Sequence, residues 1–292
     1  MEAFSNKSSL FILLFFLVSC GQDGHHTLSE SYYDQTYSLT KKSMRWDIEE
    51  LPLKLNFSED FQNDFLEKDH IREDFTTLDE MLVNWDKGII NKKIFNIPAK
   101  FTANRSYSTL HEFNDDEMGV YKSYKWFEEL PDGILAITQY FGLRRNKGTS
   151  SEYLELIHAD IIFNYRDYIF TMDEEESFHY DLPTVLLHEL GHLLGLPHQS
   201  GAKSLSVMAP FLGSSDVKRN LYLIDKENLQ DNYLTQPQTM DRSSLIFSKQ
   251  RKGKGQKEAP PQIERGVIEL NAWGECWLIH NGKKKFLHKH KI

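Results

Sequence analysis

Within His188-Glu189-Leu190-Gly191-His192-Leu193-Leu194-Gly195-Leu196-Pro197-His198 the chain places three imidazoles and one carboxylate at a spacing suited to a hydrolytic metal centre. His188 and His192 are four residues apart, so on a helix they share one face and can hold one ion. Glu189 stands beside the first ligand, placed to take a proton from water bound to that ion. Gly195 can adopt positive φ, which lets the helix stop and the chain swing back. His198 then returns as the third ligand. Three protein ligands leave the fourth tetrahedral position of zinc open, as hydrolysis demands. A helix with surface histidines at helical spacing is the plainer reading, and the correctly placed Gly and third His make it the weaker one.

The flanks must position these groups. Asp181 is a fair N-cap, and Pro183 falls in the first turn, where its missing N–H costs little. Val185, Leu186, Leu187, Leu190, Leu193 and Leu194 surround the ligands with apolar residues, so the helix is expected to be buried on several sides.

The full pattern H-E-x-x-H-x-x-G-x-x-H resembles that of the metzincins, zinc endopeptidases with a methionine turn. Ser206-Val207-Met208-Ala209-Pro210 looks like that turn, which gives Met208 a structural role as the apolar floor under the metal. Within metzincins the chain is most similar to the matrixins, the matrix-metalloproteinase-like group. Ala159-Asp160-Ile161-Ile162-Phe163 resembles the strand before their active-site helix. Asp225 with Leu229-Gln230 and Tyr233 resembles the helix after their methionine turn. Trp46 to Phe57, followed by a long amphipathic helix, resembles their opening. The resemblance spans roughly residues 45–236. It implies an α+β, zincin-like catalytic domain: a twisted mixed sheet with a long amphipathic helix and an active-site helix. It also implies a zinc endopeptidase with one catalytic zinc on His188, His192 and His198 and Glu189 as general base.

Some positions depart from the matrixin pattern. Gln199 stands where Ser or Thr is usual, and Ala209 replaces an aromatic inside the turn. The segment between Asp160 and His188 lacks the longer His- and Asp-rich loop that holds a second, structural zinc. His158, Asp160 and His179 remain, but ligand identity alone underdetermines such a site. The acidic run Asp173 to Glu176 offers oxygen ligands to calcium, although a solvated loop is the plainer reading.

Other elements follow from periodicity. Leu51, Leu53, Leu55 and Phe57 alternate with Pro52, Lys54 and Asn56, the period of a half-buried strand. Ile71, Phe75, Leu78, Leu82 and Trp85 recur at helical intervals. Gly133 to Phe141 reads as a strand after an Asp132-Gly133 turn, Arg144 to Ser151 as a polar loop, and Leu154 to Phe170 as strand-bearing. An edge strand in this region would suit a peptidase, since an extended substrate pairs with such an edge through main-chain hydrogen bonds. Residues 237–262, rich in Pro, Gly and Lys, read as a linker. Residues 263–292 carry Asn281-Gly282 between apolar-bearing segments and read as a small β-hairpin or three-stranded appendage docked on the catalytic domain. Cys276 reads as a half-buried small hydrophobe, and His288 and His290 as surface residues.

At the N-terminus, Lys7 precedes an apolar run from Leu10 to Val18, too short to span a bilayer comfortably. It ends in Leu17-Val18-Ser19-Cys20, which resembles a bacterial lipobox. An ordinary secretory peptide is the alternative. The lipobox reading makes 1–19 a lipoprotein signal peptide, Cys20 the lipidated residue and 20–44 a polar tether, with the catalytic domain at 45–236. It implies a membrane partner through the lipid anchor and a place in the bacterial cell envelope, with Gly21 after Cys20 favouring the outer membrane. With Cys20 acylated, Cys276 has no partner for an intramolecular disulfide.

The net charge of −9 and the absence of any nucleic-acid motif argue against a nucleic-acid partner. The expected partner is a protein or peptide substrate. Two other classes stay open: a lipoprotein that binds zinc or peptide without turnover, and an adhesion lipoprotein.

Overall fold

A mixed sheet of nine strands carries the fold, and its order places the chemistry. The computed structural model describes residues 43–66, 78–89, 92–176, 178–199, 205–235 and 262–290. The strands are β1 (Met44–Arg45), β2 (Asn56–Ser58), β3 (Lys100–Thr102), β4 (Gly119–Ser123), β5 (Ile134–Arg145), β6 (Tyr153–Asn164), β9 (Ile263–Asn271), β10 (Glu275–His280) and β11 (Lys283–Lys289). Their order is β11-β10-β9-β5-β6-β4-β2-β3, with β1 added parallel to β6. A separate pair joins β7 (Phe170–Thr171) and β8 (Tyr180–Asp181). The helices are α1 (Gln62–Leu66), α2 (Leu78–Asp86), α3 (Leu182–Leu193) and α4 (Leu223–Gln230). This is the α+β architecture that the resemblance implies.

The sheet is covered on both faces. Ile161 and Phe163 of β6 belong to a core built with Leu82 and Trp85 of α2 and Leu186 and Leu190 of α3. Ile162, one residue out of phase, joins a second cluster with Leu110, Phe113, Trp126 and Phe127 from the segment around β4. Strands buried on both faces read as unbroken apolar runs, which is why Ile134 to Ile137 and Ala159 to Phe163 show little alternation. Trp85 Nε1 donates to Leu187 O at 3.1 Å and ties α2 to α3.

One expectation changes, and another is described only in part. The strand read at Leu51–Phe57 shrinks to β2 plus one bridge between Leu53 and Phe95. Its burial alternates as expected, but Pro52 has no N–H to give a ladder. The amphipathic helix keeps Leu78, Leu82 and Trp85 in α2, while Ile71 and Phe75 lie outside the described residues. So do the signal segment with Cys20, almost all of the 20–44 tether, and the 237–262 linker but for its last residue. Among the described residues no helix is long and apolar enough to cross a membrane.

The C-terminal strands matter most for the site. β9 pairs antiparallel with β5 from Ile134↔Asn271 to Leu143↔Ile263, so β5 is no edge. β6 is also interior, between β5 and β4. The open edge anticipated for a substrate in this region is therefore taken by the chain itself. β10 and β11 extend the sheet through a turn at Asn281 (φ 49°) and Gly282 (φ 74°), the paired positive values of a type I′ hairpin.

Arg144 of β5 grips Glu264 of β9 through two hydrogen bonds, one of them Nε to Oε1 at 2.9 Å. That contact holds the Glu264 carboxyl below its ordinary value of 4.5. A carboxyl with a lowered folded pKa stabilises the fold above its unfolded value, and the gain is lost as pH falls through the lower folded one. Unfolding free energies from urea titration of the native chain should thus fall more steeply than those of Glu264→Gln between about pH 5 and pH 3, by about 0.5–1 kcal/mol. Parallel curves would show that the pair contributes nothing.

Candidate metal centre

α3 starts and stops on side chains that its sequence supplies. Asp181 caps it by accepting from Thr184 N at 3.0 Å and Thr184 Oγ1 at 2.6 Å, with Pro183 in the first turn. All of its residues are buried. At the far end Gly195 (φ 84°) donates to His192 O at 2.8 Å, and Leu196 N donates to Gly191 O at 2.9 Å. These two bonds form a Schellman stop, which needs a left-handed residue at Gly195. A Cβ there would sit 2.0 Å from Met44 O, so the backbone of β1 also excludes a side chain. Trp46 Nε1 and Tyr233 Oη satisfy the carbonyls of Leu193 and Leu194 at 2.8 and 3.0 Å.

The structure brings His188, His192 and His198 together. Their ring centroids are 4.5, 4.7 and 5.3 Å apart, and one nitrogen from each lies within 4.8 Å of the others. His188 Nδ1 contacts Val207 O at 2.7 Å, and His192 Nδ1 contacts Leu196 O at 2.8 Å. A carbonyl only accepts, so both Nδ1 atoms carry the proton and both Nε2 atoms present a lone pair. His198 bonds the backbone of Glu269 in β9 and also leaves Nε2 bare. All three Nε2 atoms are buried with no hydrogen-bond partner, as is Glu189 Oε1. Buried orphan acceptors are costly unless something fills the space between them. Three neutral imidazole nitrogens aimed at one point are a fit donor set for zinc.

Burial drives the electrostatics. It depresses His188 and His198 far below the usual histidine value and His192 to about 4, so the rings stay neutral. Burial pushes the Glu189 carboxyl up to about 8, opposed by a hydrogen bond from Thr138 and aided by the Glu269 carboxyl. Thr138 Oγ1 of β5 reaches Glu189 Oε2 at 2.6 Å and fixes that side chain.

Met208 is buried beneath α3. A Cβ on Gly191 would meet its sulfur at 2.2 Å, so Gly191 provides the room for Met208. The turn is held by Asp225, a wholly buried carboxylate at the start of α4. Asp225 accepts from Ser206 Oγ at 2.5 Å, Val207 N at 3.1 Å and Tyr222 N at 2.9 Å. It thereby positions the Val207 carbonyl that orients His188. Asp225→Ala leaves two buried donors and one half-buried donor unpaired. It should cost about 3–5 kcal/mol of stability and weaken zinc binding about 10–100-fold in chelator competition. Unchanged zinc affinity would remove the positioning role.

Sequence reasoning missed Thr138 and the Glu269 backbone as parts of the site. Both come from strands remote in the chain, and no local spacing signals them. The other residues weighed as ligands do not join this cluster. His158 Nε2 meets Phe113 O at 2.9 Å and Asp160 Oδ2 at 2.7 Å, while Asp160 Oδ1 accepts from Gly119 N. His179 joins no cluster of three potential ligands among the described residues. In the acidic run, Glu174 pairs with Arg219 at 2.8 Å and Asp173 accepts from Glu175 N.

Residues 147–234 match the family model described as Matrixin, a span that holds α3, the methionine turn and α4. No curated protein matches the chain. This match supports a metzincin/matrixin-like metallopeptidase domain in the chain, and the mixed sheet with few helices is consistent with it.

Proposed function

We propose that the protein is a zinc endopeptidase that hydrolyses peptide bonds in extended protein segments. The observation that carries this reading is the convergence of three unpartnered, buried Nε2 atoms, with Glu189, the residue after His188, keeping one buried oxygen unpartnered. His188, His192 and His198 would hold the metal. Zinc supplies Lewis acidity toward water and a carbonyl oxygen, and positive charge beside Glu189. Glu189 Oε1 takes a proton from the attacking water as its oxygen bonds to the scissile carbonyl carbon. The same proton passes to the amide nitrogen as the C–N bond breaks, leaving a carboxyl and an amine. Thr138 keeps Glu189 Oε2 engaged so that Oε1 faces the reaction.

One observation favours a second reading, a zinc-binding envelope protein without turnover: β9 occupies the outer edge of β5. Digestion of a proteome-derived peptide library by the zinc-loaded full chain separates the two. New termini that vanish with Glu189→Ala support the peptidase; an undigested library at full zinc occupancy supports the binder.

We also propose that Cys20 carries a lipid and holds the protein at the bacterial envelope, in the outer membrane. Lys7, the apolar run Leu10 to Val18 and Leu17-Val18-Ser19-Cys20 support this. Metabolic labelling with palmitate should mark the native chain and not Cys20→Ser; equal labelling of both would refute the anchor.

A further inference from the structure

We propose that Cys276, His288 and His290 form a second metal site, for a thiophilic first-row transition ion and zinc first, separate from the His188–His192–His198 centre. Cys276 lies on β10 and is buried. His288 lies on β11 as its direct cross-strand partner, and His290 follows two residues later, on the same face. The Cys276 sulfur and one nitrogen of each ring all lie within 4.8 Å of one another. His288 Nε2 and His290 Nε2 are 3.1 Å apart, with ring centroids 4.5 Å apart at 74°. That separation suits two imidazoles sharing a tetrahedral ion with bonds of about 2.0–2.1 Å. The Cys276 sulfur lies within 4.8 Å of both nitrogens, and a zinc–sulfur bond is about 2.3 Å.

The framework around the trio is built. His290 N donates to Gly274 O at 2.7 Å, which pins the chain just past β11. The His290 ring lies 5.9 Å from Phe211, in the segment after Met208. That segment is in turn bridged to β9 at Asn271. The sequence alone hides the cluster, because Cys276 stands twelve residues before His288 and only the hairpin register brings them opposite.

One thiolate and two imidazoles are borderline-soft ligands, which excludes calcium and magnesium and selects zinc or its neighbours. Coordination releases the Cys276 thiol proton to solvent as the sulfur–metal bond forms. Three protein ligands leave one position for water or a further group. The ion would clamp β10 to β11 and so brace the sheet extension whose first strand supplies the Glu269 backbone contact to His198.

The test uses the full chain with Cys20→Ser, so that Cys276 is its only thiol. Loaded with zinc and dialysed, this chain should hold about two zinc ions, falling to about one with added Cys276→Ser or with added His192→Ala. Loaded with cobalt, it should show a thiolate-to-cobalt charge-transfer absorption, which a trio of imidazoles cannot produce. That absorption should survive His192→Ala and vanish with Cys276→Ser. His290→Gln, a milder change at a half-buried position, should weaken it as well, which covers the case where Cys276→Ser fails to fold. About one zinc per chain in the Cys20→Ser parent, or no thiolate absorption with cobalt, overturns the site.

Discussion

Glu189→Gln is expected to leave zinc content unchanged while cutting peptide hydrolysis by about 10²–10⁴-fold, the usual contribution of a positioned general base. The substitution keeps the size and shape of the side chain. Gln can still accept from Thr138 Oγ1 through its carbonyl oxygen, so the contact now at 2.6 Å need not be lost. What changes is the atom at Oε1, which is buried and unpartnered. An amide there cannot take a proton from water. The neutral side chain also relieves the burial that pushes the carboxyl up to about 8. Folding stability of the metal-free protein should therefore hold or rise as activity falls. Metal analysis, urea unfolding and peptide cleavage on one preparation separate the outcomes. Cleavage within threefold of the native chain would remove Glu189 from the chemistry. Lost zinc would instead make it a support of the metal.

The motif shows which parts of this centre local sequence can encode. Asp181, Pro183 and Gly195 mark the ends of α3, and the four-residue step of His188 and His192 places two ligands before any tertiary contact forms. Those features depend on backbone hydrogen bonds within one turn of helix, so spacing alone reveals them. The hairpin at Asn281-Gly282 is legible for the same reason. What β9 does is not. Its apolar residues would pair equally well with any open edge, and its partner β5 ends more than a hundred residues earlier in the chain. The appendage read from composition thus becomes three strands of the main sheet, one of which supplies the backbone contact to His198. Cys276, His288 and His290 read singly as a small hydrophobe and two surface rings, and the same register turns them into a cluster. Thr138 looks like one more strand residue until β5 crosses α3.

Gly195→Ala is expected to cost the fold about 3 kcal/mol or more and to weaken zinc binding about 10–100-fold. Two independent terms add. The native φ of 84° is left-handed, where a β-carbon costs about 1–2 kcal/mol. That β-carbon would also lie 2.0 Å from Met44 O, on the short strand β1 that pairs Met44 with Leu154 of β6. A backbone carbonyl in a sheet cannot swing aside as a flexible side chain can, so either β1 peels from β6 or the helix stop rebuilds. Rebuilding moves Leu196, whose carbonyl holds the tautomer of His192 at 2.8 Å, and with it the approach of His198. The damage therefore reaches two of the three clustered imidazoles from a residue outside the cluster. Urea unfolding of the metal-free protein reads the first term, and competition with a zinc chelator reads the second. A variant that unfolds within 1 kcal/mol of the native chain and keeps its zinc affinity would mean that the stop tolerates a right-handed path. The geometry that delivers His198 would then rest on the methionine turn and β9 rather than on Gly195.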